Sequence, residues 1–227
     1  SLPAKVDLES ECPRVEDQGN LGSCTANAGT SSLEFLIRKV GLEPAELSRL
    51  YLYYRTRVDI EGTPASEDSG AYVRDVFKAL NKFGCCTEVM QPYSVKNFAK
   101  APTAKADADA AGRKISMYFR CDSLAAIKQC LADGYPCEGG FDVPDSMFSA
   151  ECEATGIVPM PNADIVGGHA VLFVGYDDST KLLKFQNSWG EGWGDDGYGY
   201  LPYAYFSLGY ADDFWTVRGL ASQPTPS

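Results

Sequence analysis

The chain has 227 residues, of which 44% are hydrophobic, so it can bury one large core or two small, tightly packed ones. This composition excludes an intrinsically disordered chain. Acidic residues outnumber basic residues by 31 to 20, which gives a net charge of −11 without an acidic tail. An acidic surface with no basic patch repels nucleic acid and anionic lipid, so we expect neither as a partner and interpret the charge as a source of solubility.

From the sequence we expect neither a signal peptide nor a membrane helix. The N-terminal segment lacks the apolar core of a signal peptide, and no apolar run approaches the about 20 residues that a membrane helix needs. Disulfides among the eight cysteines would indicate an oxidising compartment, so we expect a secreted, extracytoplasmic or lysosome-like protein. The sequence leaves the pairing open for Cys12, Cys24, Cys85, Cys86, Cys121, Cys130, Cys137 and Cys152.

The first half of the chain is predicted to be mainly helical. Apolar residues at helical spacing predict a helix over 24–40 with Ser23 as its cap. A second helix is predicted to begin after Ser48, and a third to stop at Gly84. The segment 99–112 is rich in Ala, Asp and Lys and lacks large apolar residues, which predicts a connector or surface loop.

The second half is predicted to be mainly strand. A short helix over 122–132 comes first. Residues 169–176 and 181–189 are rich in strand-forming residues and flank a turn at 177–180, which predicts a hairpin. A late strand is predicted over 214–217. Helices followed by an antiparallel sheet indicate an α+β chain with two lobes.

His169 is the only histidine in the sequence. Any proton transfer through an imidazole at neutral pH must therefore use it. The residue opens the predicted apolar strand and follows Gly167 and Gly168, which allow close approach of the backbone. A lone histidine at a strand start is more often structural than catalytic, so its neighbours decide the interpretation.

Cys24 is predicted at the start of a helix, behind a run of small residues. The positive end of the helix dipole favours a thiolate there, and a nearby imidazolium would lower the thiol pKa further and form an ion pair with it. The alternative is a small, buried core cysteine.

Asn187 and Gln18 complete a candidate catalytic set. Asn187 ends the predicted strand that pairs with the strand of His169, so its carbonyl can accept a hydrogen bond from the imidazole. Trp189 can shield that bond from water, or can be ordinary packing in a glycine-rich turn. Gln18 precedes Cys24 by six residues and can donate to a developing oxyanion, together with the backbone N–H of Cys24.

Three segments resemble the papain family of cysteine peptidases. Asp-Gln-Gly-Asn-Leu-Gly-Ser-Cys-Thr-Ala at 17–26 resembles its active-site segment, in the version typical of bacterial, archaeal and viral relatives. Gly-His-Ala-Val at 168–171 resembles its histidine segment, and Asn-Ser-Trp-Gly at 187–190 its asparagine segment. The segments fall in family order, and about 145 residues separate Cys24 from His169, within the family range of about 130–150.

The resemblance implies a single papain-like domain over 1–227, with two lobes and the active site in the cleft between them. A helical left lobe over roughly 13–115 would carry the cysteine. A right lobe like an antiparallel β-barrel, over roughly 1–12 and 116–227, would carry the histidine and the asparagine.

The resemblance also implies a cysteine endopeptidase that hydrolyses peptide bonds through a thioester on Cys24. It implies no metal and no organic cofactor, a peptide or protein as substrate, a pro-segment or protein inhibitor as a further partner, and a monomer. Two alternatives are a transpeptidase or ligase that uses the same thioester, and a catalytically silent binding protein, against which the intact triad argues. A metal or redox protein built on spare cysteines is a further alternative, although Cys85 and Cys86, with no histidine nearby, make a poor zinc set.

The substrate pocket follows from the resemblance alone. Gly70 lies where the family pairs a glycine backbone with the substrate, and Gly140 and Gly167 lie at the wall of the pocket for the second residue before the scissile bond. Asp212 falls near the floor of that pocket and would favour Arg or Lys in the substrate, or it is a solvated acidic turn. Trp189 is grouped with these residues.

Three positions depart from the family pattern. Members commonly have Cys at the position of Leu21, so the usual first disulfide cannot form. They commonly have Trp at the position of Thr25 and Asp or Asn at that of Gly168. The last change is expected to alter the pH dependence without removing activity.

Overall fold

A computed structural model describes residues 1–162 and 164–221 as an α+β fold. Among these residues no helix has the length and apolar character needed to cross a lipid bilayer. Its helices are α1 Cys24–Lys39, α2 Arg49–Tyr54, α3 Val73–Lys82, α4 Ala104–Ala110, α5 Leu124–Ala132, α6 Ala150–Thr155 and α7 Ala204–Ser207, and a π-helix Arg55–Ile60 continues α2.

The strands form one sheet in which every pairing is antiparallel. They are β1 Lys5–Asp7, β2 Ile115–Cys121, β3 Cys137–Pro144, β4 Ile165–Asp177, β5 Leu182–Gln186, β6 Tyr198–Pro202 and β7 Ala211–Leu220. Their order is β2-β7-β3-β4-β5-β6, and β1 pairs with the end of β4. The long β4 is therefore the centre of the sheet.

Two hydrophobic clusters form the core, and α1 contributes to both. Phe35 on α1 joins the cluster under the sheet, which includes Phe173. Leu33 and Leu36 join the helical cluster, which includes Phe77 on α3. Burying side chains of this size stabilises a fold by about 1.5–3 kcal/mol each. α1 is thus held between the two lobes, with its first residue, Cys24, at their junction.

The prediction for α1 is confirmed, but the capping role of Ser23 is wrong. Ser23 occupies the cap position, yet its side chain makes no capping hydrogen bond. Its hydroxyl lies 2.7 Å from the Tyr93 hydroxyl and accepts a hydrogen bond from Asn27 Nδ2 at 3.0 Å. The first N–H groups of α1 are therefore not screened by a side-chain cap, which leaves the positive end of the helix beside Cys24.

The connector predicted over 99–112 is instead largely helix α4. Thr103 caps the helix by accepting a hydrogen bond from the Ala106 N–H at 3.1 Å. Ala106 and Ala110 are fully buried. A Cβ at Gly84, whose φ is +76°, would overlap the Ala110 carbonyl, so the two backbones approach closely. Small side chains suit such an approach, which is why the lack of large apolar residues misled the sequence interpretation.

The predicted hairpin is confirmed, but its first strand starts earlier. β4 begins at Ile165 and not at His169, which lies inside the strand opposite Phe141 of β3. Residues 165–168 are exposed and include two glycines, so no apolar pattern marks them as strand. Because β5 ends at Gln186, Asn187 begins the turn that follows the hairpin.

Candidate active site

A cleft of about 570 Å³ lies between the helical and the sheet lobes. Its lining includes eight of the nine predicted site residues, namely Gln18, Cys24, Gly70, Gly140, Gly167, His169, Trp189 and Asp212. The ninth, Asn187, is buried behind His169. A second pocket, of about 250 Å³ around Asp7 and Tyr176, contains none of them.

Cys24 is the first residue of α1 and is half-buried. Burial raises the pKa of its thiol, and hydrogen bonding from the backbone of Ala170, next to His169, opposes that rise. This hydrogen bond places the Cys24 sulfur, at the start of α1, next to strand β4. The helix dipole and an imidazolium, which the sequence indicated, both favour the thiolate, whereas burial acts in the opposite direction. The thiol is therefore favoured over the thiolate until a partner removes its proton.

His169 is held by Asn187. Nε2 of the imidazole lies 2.7 Å from Asn187 Oδ1, and the same oxygen accepts the Ser188 N–H at 2.8 Å. A backbone N–H needs an acceptor, so it identifies this atom of the amide as the oxygen. Since a carbonyl oxygen only accepts, Nε2 carries the proton, and Nδ1 is the basic nitrogen of the neutral ring. Burial lowers the pKa of His169 to about 4, although the bond to Asn187 opposes the shift.

Aromatic rings cover the imidazole. The Trp189 indole stacks on His169 with ring centroids 4.8 Å apart, and Phe148 stacks on the outer face of Trp189 at 5.6 Å. Phe141 meets His169 edge-on at 5.9 Å, and Trp193 meets Trp189 edge-on at 5.4 Å. These contacts fix the plane of the imidazole, while the shielding of its bond to Asn187 by Trp189 stays a prediction.

Gln18 is locked in place at the cleft. Its Nε2 donates to the Leu21 carbonyl at 3.0 Å, and its Oε1 accepts the Ser188 hydroxyl at 2.6 Å. A side-chain amide nitrogen has two N–H donors. One goes to Leu21, and the other is available for an oxyanion in the cleft.

Ser188 is a positioning residue that sequence reasoning missed. Its N–H binds the Asn187 oxygen, while its hydroxyl binds Gln18. One buried serine thus fixes both the residue that orients the histidine and the proposed oxyanion donor. Its place inside the Asn-Ser-Trp-Gly segment was visible, but a serine in a turn has no spacing pattern that reveals this role.

The loop of Gly70 is tied to the turn before Cys24. Gly70 has a φ of +69°, and its N–H donates to the Tyr53 hydroxyl at 2.9 Å. That hydroxyl binds the carboxylate of Asp68, which also accepts the Gly22 N–H at 3.1 Å. The Gly70 N–H is used inside the protein, and its carbonyl oxygen accepts the Ser69 hydroxyl at 2.9 Å, which leaves one lone pair of that oxygen to pair with a peptide.

The opposite wall of the cleft is open and acidic. Gly140 pairs with Asp212 across β3 and β7, and Asp212 is exposed. A Cβ added at Gly167 would meet no atom within 4 Å, so the pocket beside it is empty space. Asp142 and Asp213 also line this side of the cleft.

Glu138, two residues before Gly140, is a buried acid with no sequence signal. It is fully buried, and within the described residues neither carboxylate oxygen has a hydrogen-bond partner. A Cβ added at Gly29 of α1 would lie 3.3 Å from its Oε1. Burial raises its pKa well above the ordinary value, and the charge of Asp213 adds to the rise. Burial therefore favours the protonated, neutral form of Glu138 under the active-site helix.

Known proteins are similar to this chain along most of its length. The model described as "Papain family cysteine protease" matches residues 2–207. The chain belongs to the papain family. An uncharacterized peptidase C1-like protein of Acanthamoeba polyphaga mimivirus is 37% identical over 215 residues, which cover 89% of this chain and 68% of that protein. Cathepsin B-like CP3 of Giardia intestinalis is 30% identical over 215 residues, which cover 86% and 68%.

Solved structures of the papain family share the fold. Xylellain, a cysteine protease from Xylella fastidiosa, superposes with a TM-score of 0.89 at 37% identity over 97% of this chain and 88% of its own. Digestive procathepsin L 3 of Tenebrio molitor has a TM-score of 0.75 at 21% identity over 96% of this chain and 70% of its own, a likeness of fold alone. The chain is a papain-family cysteine peptidase, a hydrolase with the two-lobed α+β fold that the sequence predicted.

Proposed function

We propose that this papain-family peptidase cleaves internal peptide bonds with Cys24 as nucleophile and His169 as acid and base. Asn187 orients the histidine, and Gln18 donates to the oxyanion. The observation that carries the proposal is the 2.7 Å contact between His169 Nε2 and Asn187, because it makes Nδ1 the basic nitrogen in a cleft that also contains Cys24.

The proposed reaction proceeds through two acyl transfers. His169 Nδ1 takes the thiol proton while Cys24 Sγ bonds to the peptide carbonyl carbon. The carbonyl oxygen becomes an oxyanion, which accepts hydrogen bonds from Gln18 Nε2 and the Cys24 N–H. His169 returns the proton to the leaving amine, the C–N bond breaks, and a thioester remains. Water then loses a proton to His169, attacks the thioester and releases the acid and the thiol.

The nucleophile has a matched control. Cys12 and Cys24 have intermediate exposure, and the other six cysteines are buried. We expect Cys24→Ala to fold and to lose turnover of denatured protein, whereas Cys12→Ser keeps it. Limiting iodoacetamide should label Cys24 first and abolish activity in step. Even labelling of several cysteines with activity retained contradicts the assignment of Cys24.

We further propose that Gly70, Gly140, Gly167, Asp212 and Trp189 bind the peptide, with Asp212 attracting Arg or Lys at the second position before the cleaved bond. Asp212 is exposed, and exposed ion pairs are worth about 0.2–1 kcal/mol, so Asp212→Asn should lower the preference for Arg over Leu by about 1.5- to 5-fold. Asp142→Asn, also in the cleft wall, is the control. An unchanged peptide-library profile in Asp212→Asn supports the alternative, a solvated acidic turn.

The organisation around the enzyme is part of the same proposal. We place one peptidase domain over 1–227, with the left lobe over about 13–115 and the right lobe over 1–12 and 116–227. A pro-segment or inhibitor would occupy the cleft of a monomer in a secreted or lysosome-like compartment. Support comes from similar proteins, solved as procathepsin L 3 of Tenebrio molitor and as a Carica candamarcensis protease in complex with E-64. Gel filtration with added pro-peptide tests both the monomer and the occupant.

A further inference from the structure

Three buried cysteines lie together under the sheet lobe, away from the cleft. Cys121 ends β2, Cys130 lies in α5 and Cys137 begins β3. Their Sγ atoms all lie within 4.8 Å of one another, and those of Cys121 and Cys137 are 3.7 Å apart. Because each residue comes from a different element, no short sequence spacing marks them as a group.

The spacing of the sulfur atoms fits a metal better than a disulfide between the two strands. β7 lies between β2 and β3, so Cys121 and Cys137 come from strands that do not pair with each other. Their Sγ atoms are 3.7 Å apart, well beyond the about 2.05 Å of a disulfide bond. Zinc–sulfur bonds of about 2.3 Å in a tetrahedron place two sulfur atoms about 3.8 Å apart. The observed 3.7 Å matches that edge without movement of either strand.

A partly buried cation balances the charge of such a site. Arg218 of β7 donates to Cys130 Sγ at 3.3 Å, and its guanidinium stacks over the Tyr135 ring at 4.1 Å. The Cys130 thiol donates a hydrogen bond to the Tyr135 carbonyl at 3.3 Å, which directs its sulfur atom within the cluster. Three thiolates and one Zn²⁺ carry a charge of −1, which the guanidinium neutralises.

We propose that Cys121, Cys130 and Cys137 bind one zinc ion through their sulfur atoms. Binding displaces the protons of the three thiols and bonds the metal to their sulfur atoms. Three protein ligands leave the fourth position of the tetrahedron open, and in zinc sites with three protein ligands a water molecule occupies it. The ion joins β2, α5 and β3, and so stabilises the sheet lobe independently of catalysis.

Zinc uptake by the reduced protein tests the proposal. The experiments use Cys24→Ala, because the Cys24 and His169 side chains in the cleft could bind zinc themselves. The chain is reduced, stripped with a chelator and given Zn²⁺, and bound zinc is measured after gel filtration. We expect about one zinc per chain, and a melting temperature about 5–10 °C higher at a free zinc concentration 100 times the Kd. Co²⁺ in place of Zn²⁺ should give thiolate-to-metal absorption, which reports sulfur ligands directly.

Variants separate this site from adventitious binding. Adding Cys130→Ser should abolish zinc uptake and the thermal shift. Cys121→Ser should do the same, and Cys121 is the least buried of the three cysteines. Cys152→Ser, which alters a buried cysteine outside the cluster, should retain both. Failure of the reduced parent protein to bind zinc overturns the proposal, whether or not the variants fold. So does uptake that survives both Cys121→Ser and Cys130→Ser.

Discussion

Replacing Glu138 by Gln should change how folding stability depends on pH. Glu138 is fully buried on β3 beneath α1, and burial raises its pKa well above the ordinary value of 4.5. The glutamine amide has nearly the same volume as the protonated acid, so the packing against Gly29 is preserved. In the wild-type chain the acid keeps its proton when folded and releases it when unfolded.

The sign follows from proton linkage. Above pH 4.5 the unfolded chain binds fewer protons at this residue than the folded chain, so rising pH favours unfolding. The stability that Glu138 contributes is fully present below that pH. It decreases by about 1.4 kcal/mol per pH unit as the pH rises toward the folded-state pKa of Glu138. Over the two units from pH 5 to pH 7 the loss reaches up to about 3 kcal/mol. Glu138→Gln removes this slope.

Denaturant unfolding at a series of pH values measures the effect. The free energy of unfolding of Glu138→Gln should be close to that of the wild type near pH 5 and should exceed it increasingly as the pH rises toward the folded-state pKa of Glu138. Glu43→Gln, an exposed acid, serves as the matched control and should follow the wild type throughout. Parallel curves for the wild type and Glu138→Gln would refute the inference of a neutral buried acid.

Other predictions concern the catalytic groups and β3. Because burial lowers the pKa of His169 to about 4, the acid limb of kcat/KM should lie near pH 4, and a limb near pH 6.5 in the pH–rate profile would contradict this. Gln18→Ala should lower kcat about 10²- to 10³-fold with little change in KM, as steady-state kinetics will show. Gly139→Ala should lower stability by about 1–3 kcal/mol because its Cβ would overlap the Phe214 ring, while Gly140→Ala should leave the denaturation midpoint unchanged.

Features that depend on local pattern were predictable from the sequence. The helical spacing of α1 and the strand–turn–strand pattern around 177–180 both correspond to elements of the structure. The neighbourhood of His169 and Asn187 followed from the hairpin, because residues near the open end of two paired strands approach each other. The resemblance to known active-site segments then assigned roles that periodicity alone cannot assign.

Features that depend on long-range contacts were not predictable. The Ala-rich helix α4 is stabilised by close approach of its backbone to Gly84, which no local apolar pattern reports. The hydroxyl of Ser23 binds Tyr93, 70 residues away, in preference to capping its own helix. Burial of the Cys24 thiol, which opposes the helix dipole, likewise arises only when the two lobes meet.

Strand β3 links the features that sequence reasoning missed to those it found. Side chains alternate across a strand, so Cys137 and Phe141 face the cluster under the sheet while Glu138 and Gly140 face α1 and the cleft. A bulky residue at Gly140 would fill the cleft. An apolar residue of similar size at position 138 would still pack against α1. The cleft therefore requires a small residue at Gly140, whereas neither the cleft nor the triad requires the cysteine on the other side of β3. That independence is what makes the cysteine cluster a separate site.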